Sequence, residues 1–128
     1  MNFGYKKLYI NGSLQDSEEG SKQDVICPAT GKKIAQIAEA GKNDAKKALN
    51  SARDGYKLWS KLTLNDRTNW MEKLRAAIIE NERKLRLAII YEMGKTYEGS
   101  YEDIEALVNS LEWLSLIHIS EPTRHTQI

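Results

Sequence analysis

Cys27 is the single thiol of the chain, and His118 and His125 are its only imidazoles. A nucleophilic cysteine acts as the thiolate and needs a base or a cation beside it. Both histidines stand at the far C-terminal end, so Cys27, directly before Pro28, reads as a strand-end cysteine. Two histidines seven residues apart with no cysteine near them make a poor metal pair. Gly94-Lys95-Thr96 is worded like the end of a phosphate-binding loop. Such a loop requires a glycine five residues earlier, with a strand ahead of it. That position holds Ile89, inside a segment with helical periodicity, so Gly94 reads as a helix C-cap. Glu92, at the same helix end, could serve as a carboxylate ligand, but a capping or surface role is expected. Trp59, Trp70 and Trp113, with six tyrosines, could stack on bases or sugars, and are expected in the core instead. No catalytic, cofactor-binding or metal-binding residue is assigned.

The elements around these residues fall into two halves. Lys7-Leu8-Tyr9-Ile10 is β-prone, and Asn11-Gly12 is the strongest two-residue hairpin signal. Gln15 to Lys22 reads as a polar loop. Asp24-Val25-Ile26-Cys27 is a second strand, stopped by Pro28, which lacks a backbone donor. Lys33-Ile34-Ala35-Gln36-Ile37 alternates with period two and predicts a third strand with one buried face. The period then lengthens. Asn43-Asp44 is expected to cap a helix whose stripe is Ala45, Ala48, Leu49, Ala52, Tyr56 and Trp59. A second helix follows Thr63-Leu64-Asn65-Asp66, with Met71, Leu74, Ile78, Leu85 and Ile89 on one face. Asn81-Glu82-Arg83-Lys84 marks a break within it, and Gly94 ends it. A last helix is predicted to open near Ser100, with Asp103 in a capping-box position. Its buried face is Tyr101, Ile104, Val108 and Leu111, with Leu107 and Leu114 beside it. The fold class is therefore α+β: short N-terminal strands with a hairpin, then three or four α-helices.

At 128 residues the chain is one domain or less. It is 41% apolar and 29% charged with a net charge of +1, which suits a helix-rich chain with a modest core. No basic block is long enough to hold nucleic acid, so no nucleic-acid partner is expected. The longest apolar runs, such as Leu87-Ala88-Ile89-Ile90-Tyr91, fall far short of the roughly 20 residues that span a bilayer, so no membrane partner is expected. One cysteine and no signal-like N-terminus make a cytoplasmic protein the default.

Three blocks stand in fixed order: Leu8-Tyr9-Ile10-Asn11-Gly12, Cys27-Pro28-Ala29-Thr30-Gly31-Lys32 and Glu92-Met93-Gly94-Lys95. Between the last two lie Ser51-Ala52-Arg53, then Tyr56 and Trp59, then Arg67. This order over roughly residues 7–114 resembles the N-terminal segment of the aldehyde dehydrogenase superfamily. Cys27 stands where the family prefers asparagine, and Lys32 where it prefers an acid. The resemblance implies that residues 1–114 are the incomplete first part of an α/β cofactor-binding domain. It implies a parent oxidoreductase, a homo-oligomer, that uses NAD or NADP to oxidise an aldehyde to a carboxylic acid. There a cysteine thiolate attacks the carbonyl, hydride passes to the nicotinamide, and water releases the acid. The nucleophilic cysteine, the general-base glutamate, the oxyanion-hole asparagine and the glycine-rich cofactor site all come later in that family. None is carried onto this chain, and Cys27 is not the nucleophile. In some members a cation sits between backbone carbonyls of the second strand and the acid before Gly-Lys. That implicates Val25, Ile26 and Glu92, with a further ligand outside this chain.

Residues 115–128, from Ser115 through Ile128, resemble translated sequencing-adapter read-through rather than the family's continuation. They are expected to be a non-native, disordered tail that does not extend the last helix. The chain is then a truncated fragment, inactive by itself, binding no cofactor, with the remainder of the parent polypeptide as its partner. Its helices should be left partly exposing Ile, Leu and Tyr. The alternative is a small non-enzymatic helical interaction module, which explains the lack of chemistry but not the ordered blocks.

Overall fold

The computed structural model describes residues 1–120. Five short strands precede four helices: β1 Tyr5–Lys6, β2 Leu8–Ile10, β3 Ser13–Gln15, β4 Lys22–Ile26, β5 Lys33–Ala38, α1 Lys42–Trp59, α2 Leu64–Glu80, α3 Glu82–Met93 and α4 Tyr97–Ser120. The strands form a sheet of order β1-β5-β4 and a separate β2-β3 hairpin. β5 runs parallel to β1 and antiparallel to β4, so it is the central strand. Ile34, Ala35 and Ala38 of β5 are all buried, which corrects the single buried face that its alternation suggests. A central strand, covered on both faces, has no solvent side to keep polar.

The hairpin turns where Asn-Gly predicts. Asn11 and Gly12 both take positive φ, 53° and 74°, the conformation of a type I′ turn. The return strand β3 pairs Ile10 with Ser13 and Leu8 with Gln15. A strand at 13–15 was not predicted, because Ser13-Leu14-Gln15 is too short to show a period.

Helix starts differ from expectation at both ends of the bundle. α1 begins at Lys42 with Gly41 as N-cap, not at Asn43-Asp44. Asp44 is its third residue and accepts from the Gly41 N–H at 3.0 Å. α4 begins at Tyr97 rather than near Ser100. Thr96 Oγ1 accepts from the Gly99 N–H at 3.0 Å, closing the first turn earlier than Ser100 could. α2 opens at Leu64, within the stretch the sequence places ahead of it: the Thr63 hydroxyl accepts from the Asp66 N–H, while Asp66 accepts from the Thr63 N–H. The break at Asn81 is also present, with φ −101° and ψ 10° between α2 and α3. α4 continues through Ser120. The expected disorder from residue 115 therefore does not hold for residues 115–120. Nothing between Leu114 and Ser120 breaks a helix, and Pro122 is the first residue that would. Residues 121–128, with His125, lie outside the described residues.

The apolar core is small: Cys27, Ile34, Ala35, Ala38, Ile104 and Leu111. α4 packs along α2 and, by its first turns, along α3. Ile104 and Leu111 are buried as predicted, whereas Tyr101, Leu107 and Leu114 stay exposed. On α2 and α3, Leu74 and Leu85 are likewise exposed. The α1 stripe is almost wholly uncovered, with Leu49 60% and Tyr56 70% accessible, because α1 meets little beyond β2.

Candidate functional site

The second and third sequence blocks come together in space. Cys27, just past β4, donates its N–H to the Lys32 carbonyl at 2.9 Å and accepts from the Gly31 N–H at 2.8 Å. These bonds close a tight turn over Pro28-Ala29-Thr30. Gly94, which ends α3 in the left-handed conformation at φ 71°, abuts that turn. A Cβ on Gly94 would lie 2.9 Å from Pro28 Cγ, so only glycine fits without displacement. Cys27 itself is buried. Hydrogen bonding from the Thr30 side chain holds its thiol below the ordinary range, against the opposing effect of burial. No imidazole is described beside it among residues 1–120.

Lys95 is committed elsewhere. Its Nζ lies 2.7 Å from both Asp103 carboxylate oxygens, tying the α3–α4 connection to α4. The Gly94 N–H donates to the Ile90 carbonyl at 3.0 Å. The end of α3 presented here is a C-terminus, whose dipole disfavours an anion. Gly94 is thus a helix C-cap, as the sequence predicts, Thr96 opens α4 earlier than predicted, and the run has no phosphate-cradle geometry.

Val25 and Glu92 line one cavity of about 140 Å³, together with Phe3, Lys6, Ile37 and Ala88. The resemblance placed Val25 and Glu92 together, and the structure does so. Ile26 is half-exposed and is not part of that wall. No group of three or more His, Cys, Asp or Glu side chains that could hold a metal occurs among the described residues. His118 falls within α4.

Two polar hubs were not legible in the sequence. Arg86 on α3 donates from Nε to Ser100 Oγ at 3.2 Å, from Nη1 to Glu82 at 3.2 Å, and from Nη2 to the Tyr97 carbonyl at 3.0 Å. Its guanidinium also stacks 3.9 Å from the Tyr97 ring centre and fills one wall of a cleft of about 620 Å³. With three of its five N–H donors so used, the guanidinium clamps α3 to α4. The second hub is Asp44, 2% exposed, whose carboxylate also accepts from the Glu18 N–H and the Ser17 hydroxyl at 3.3 Å. It pins the 16–20 loop to the start of α1. An Arg or Asp inside an amphipathic helix gives no sequence signal of this kind, since its partners are distant in the chain.

The tryptophans are not core residues. Trp59, Trp70 and Trp113 are 37%, 54% and 63% exposed, which corrects the expectation that they pack inside. Lys73 sits over the Trp70 ring at 4.6 Å, a surface contact.

Comparison with known proteins bears on these features. A sequence profile described as "Aldehyde dehydrogenase family" matches residues 14–121. The chain is 29% identical over 107 residues to "D-glyceraldehyde dehydrogenase (NADP(+))" of Picrophilus torridus, covering 84% of this chain and 22% of that protein. It is equally similar to "Malonate-semialdehyde dehydrogenase 2" of Bacillus mycoides, with the same coverage. In structure it resembles a point mutant of Staphylococcus aureus betaine aldehyde dehydrogenase, solved in complex with NAD+, with a TM-score of 0.85 and 25% identity. That likeness covers 91% of this chain and 24% of the other. The chain thus spans about a fifth of the length of the curated relatives it matches.

Proposed function

The chain belongs to the aldehyde dehydrogenase family, and we propose that residues 1–114 are the opening part of the cofactor-binding domain of an NAD(P)-dependent enzyme oxidising an aldehyde to a carboxylic acid. The observation that carries this reading is the fit to the Staphylococcus aureus enzyme. Nearly all of this fold superposes on under a quarter of that chain. That enzyme was solved with NAD+, and the Picrophilus torridus relative is named for NADP(+), which supports a nicotinamide dinucleotide as the cofactor of the full-length protein.

The described residues are proposed to hold no dinucleotide by themselves. The amide of Gly94 and the amine of Lys95 are already bonded, to the Ile90 carbonyl and to Asp103. No step of hydride transfer is assigned to these side chains. The 128-residue chain is proposed to be catalytically inactive, with the remainder of the parent polypeptide as its partner. The parent is proposed to be a cytoplasmic homo-oligomer, and residues 115–128 to be foreign to it. No helix among the described residues is long and apolar enough to cross a membrane.

Resequencing the source template across codon 114 tests the fragment reading. A frame continuing into a glycine-rich cofactor turn and a later active-site cysteine is the expected result. The same tail followed by a stop codon would favour a genuine short interaction module. Calorimetric titration of the chain with NAD+ is expected to show no heat of binding, and micromolar affinity would overturn the assignment of an incomplete cofactor site.

A further inference from the structure

Arg67, near the start of α2, is part-buried, and its Nε has no hydrogen-bond partner among the described residues. The hydroxyl of the next residue, Thr68, is buried and unpartnered in the same way. The other part-buried arginines of α2 and α3 each have an acid, Arg75 at 3.1 Å from Glu112 and Arg86 at 3.2 Å from Glu82. The positions three and four away from Arg67 hold Thr63, Leu64, Trp70 and Met71, so its own helix supplies no carboxylate. Buried donors left unpaired cost free energy, and two of them on adjacent residues mark a seat for an acceptor. We propose that this seat receives a carboxylate from the parent polypeptide's own continuation of α4, one helical turn past Ser115, anchoring the chain beyond Leu114 to the start of α2. The proposal rests on the reading of residues 115–128 as foreign to the parent.

The register of α4 on α2 sets which position meets the seat. Arg75 bonds to Glu112 at 3.1 Å. Three residues earlier on α2, Glu72 accepts from the Ser115 hydroxyl, three residues later on α4, at 2.9 Å. The two helices therefore run antiparallel, one residue forward on α4 for each residue back on α2. A further turn of four residues on each helix puts Thr68 opposite position 119, with Arg67 beside it. That position is Ile119 here, and residues 113–120 contain neither Asp nor Glu. A carboxylate at this level has two oxygens, enough to accept from the Arg67 guanidinium and the Thr68 hydroxyl together. A neutral amide could accept the same hydrogen bonds, but it would leave the part-buried guanidinium without a counter-charge. The seat therefore selects an acid.

The test first places the acid in the 128-residue chain itself. Ile119→Glu and Ile119→Gln are each made with Arg67 intact and with Arg67→Met. All four chains carry Glu121→Gln, so that the chain's own acid cannot answer for the new one. With Arg67 intact, the Ile119→Glu chain should melt a few degrees above the Ile119→Gln chain. With Arg67→Met that order should vanish or reverse, because an acid near a helix C-terminus opposes the dipole. The Arg67 Nε–H resonance should move downfield in the Ile119→Glu chain relative to Ile119→Gln, a comparison that stands even if Arg67→Met does not fold. A Glu-to-Gln difference that is the same in both arginine backgrounds overturns the proposal. So does a loss of stability from Glu121→Gln alone that disappears with Arg67→Met, since Arg67 would then have its acid within this chain. Sequencing the parent past codon 114 tests the occupant, and an Asp or Glu at 118–120 is expected. A continuation with no acid there overturns this proposal alone, whereas the present tail followed by a stop codon overturns the fragment reading with it.

Discussion

Gly94 carries two constraints at once. Its φ of 71° costs an L-residue about 1–2 kcal/mol, and its missing Cβ leaves room for Pro28. Gly94→Ala is expected to destabilise the chain by at least that amount in urea denaturation. Gly94→Asn, which tolerates the left-handed region, should recover the conformational part only, and Pro28→Ala should relieve the remainder. Asp44 makes a different prediction. Its carboxyl titrates below the ordinary range because the Gly41 N–H bonds to it, with the Glu18 N–H and Ser17 hydroxyl adding to the effect against burial. A carboxyl lowered in the folded state contributes stability that is complete above its unfolded value of about 4. That contribution disappears as pH falls through the lower, folded value. Denaturation curves from pH 7 to 3 should therefore lose stability below about pH 4, and Asp44→Asn should flatten that decline while lowering stability at neutral pH.

At the scale of elements, capping decides where helices start more firmly than apolar periodicity does. Thr63 and Asp66 cap α2 reciprocally. Thr63→Ala is expected to cost about 1 kcal/mol in chemical denaturation, with helical circular dichroism falling in parallel. For α4 the capping-box pattern points to Ser100, whereas the structure caps the helix at Thr96. Ser100 is buried and donates to the Tyr97 carbonyl at 2.7 Å while accepting from Arg86. Its hydroxyl serves helix packing, leaving the cap to Thr96. No local pattern separates those two uses of a hydroxyl, because the partner Arg86 lies on another helix.

For the whole molecule, the informative quantity is the surface left uncovered. Leu49, Tyr56 and Leu58 on α1, with Tyr9 and Leu14 on the hairpin, account for one apolar part of it. Trp70, Leu74 and Trp113 form another on α2 and α4. With so small a core, thermal unfolding followed by circular dichroism is expected to be broad and to finish at modest temperature. A sharp cooperative transition above about 60 °C, as complete mesophilic domains can show, would contradict this. Dyes that report exposed apolar surface should bind before the transition.

The sequence by itself determined what depends on neighbours in the chain. The Asn11-Gly12 turn, the break at Asn81, the left-handed Gly94 and the family resemblance that the match over residues 14–121 bears out are all local in this sense. Backbone conformation and first-turn hydrogen bonds are settled within a few residues, so short patterns suffice to read them. Tertiary structure alone decided which apolar faces are covered, that Pro28 and Gly94 touch, and that Lys6 and Glu92 share one wall. It also decided that Arg86 and Asp44 are anchoring hubs while the three tryptophans face outward. A stripe of apolar residues states only that a helix has a side to bury. Whether anything lies against that side depends on residues far away in the sequence, and for α1 little within the described residues does.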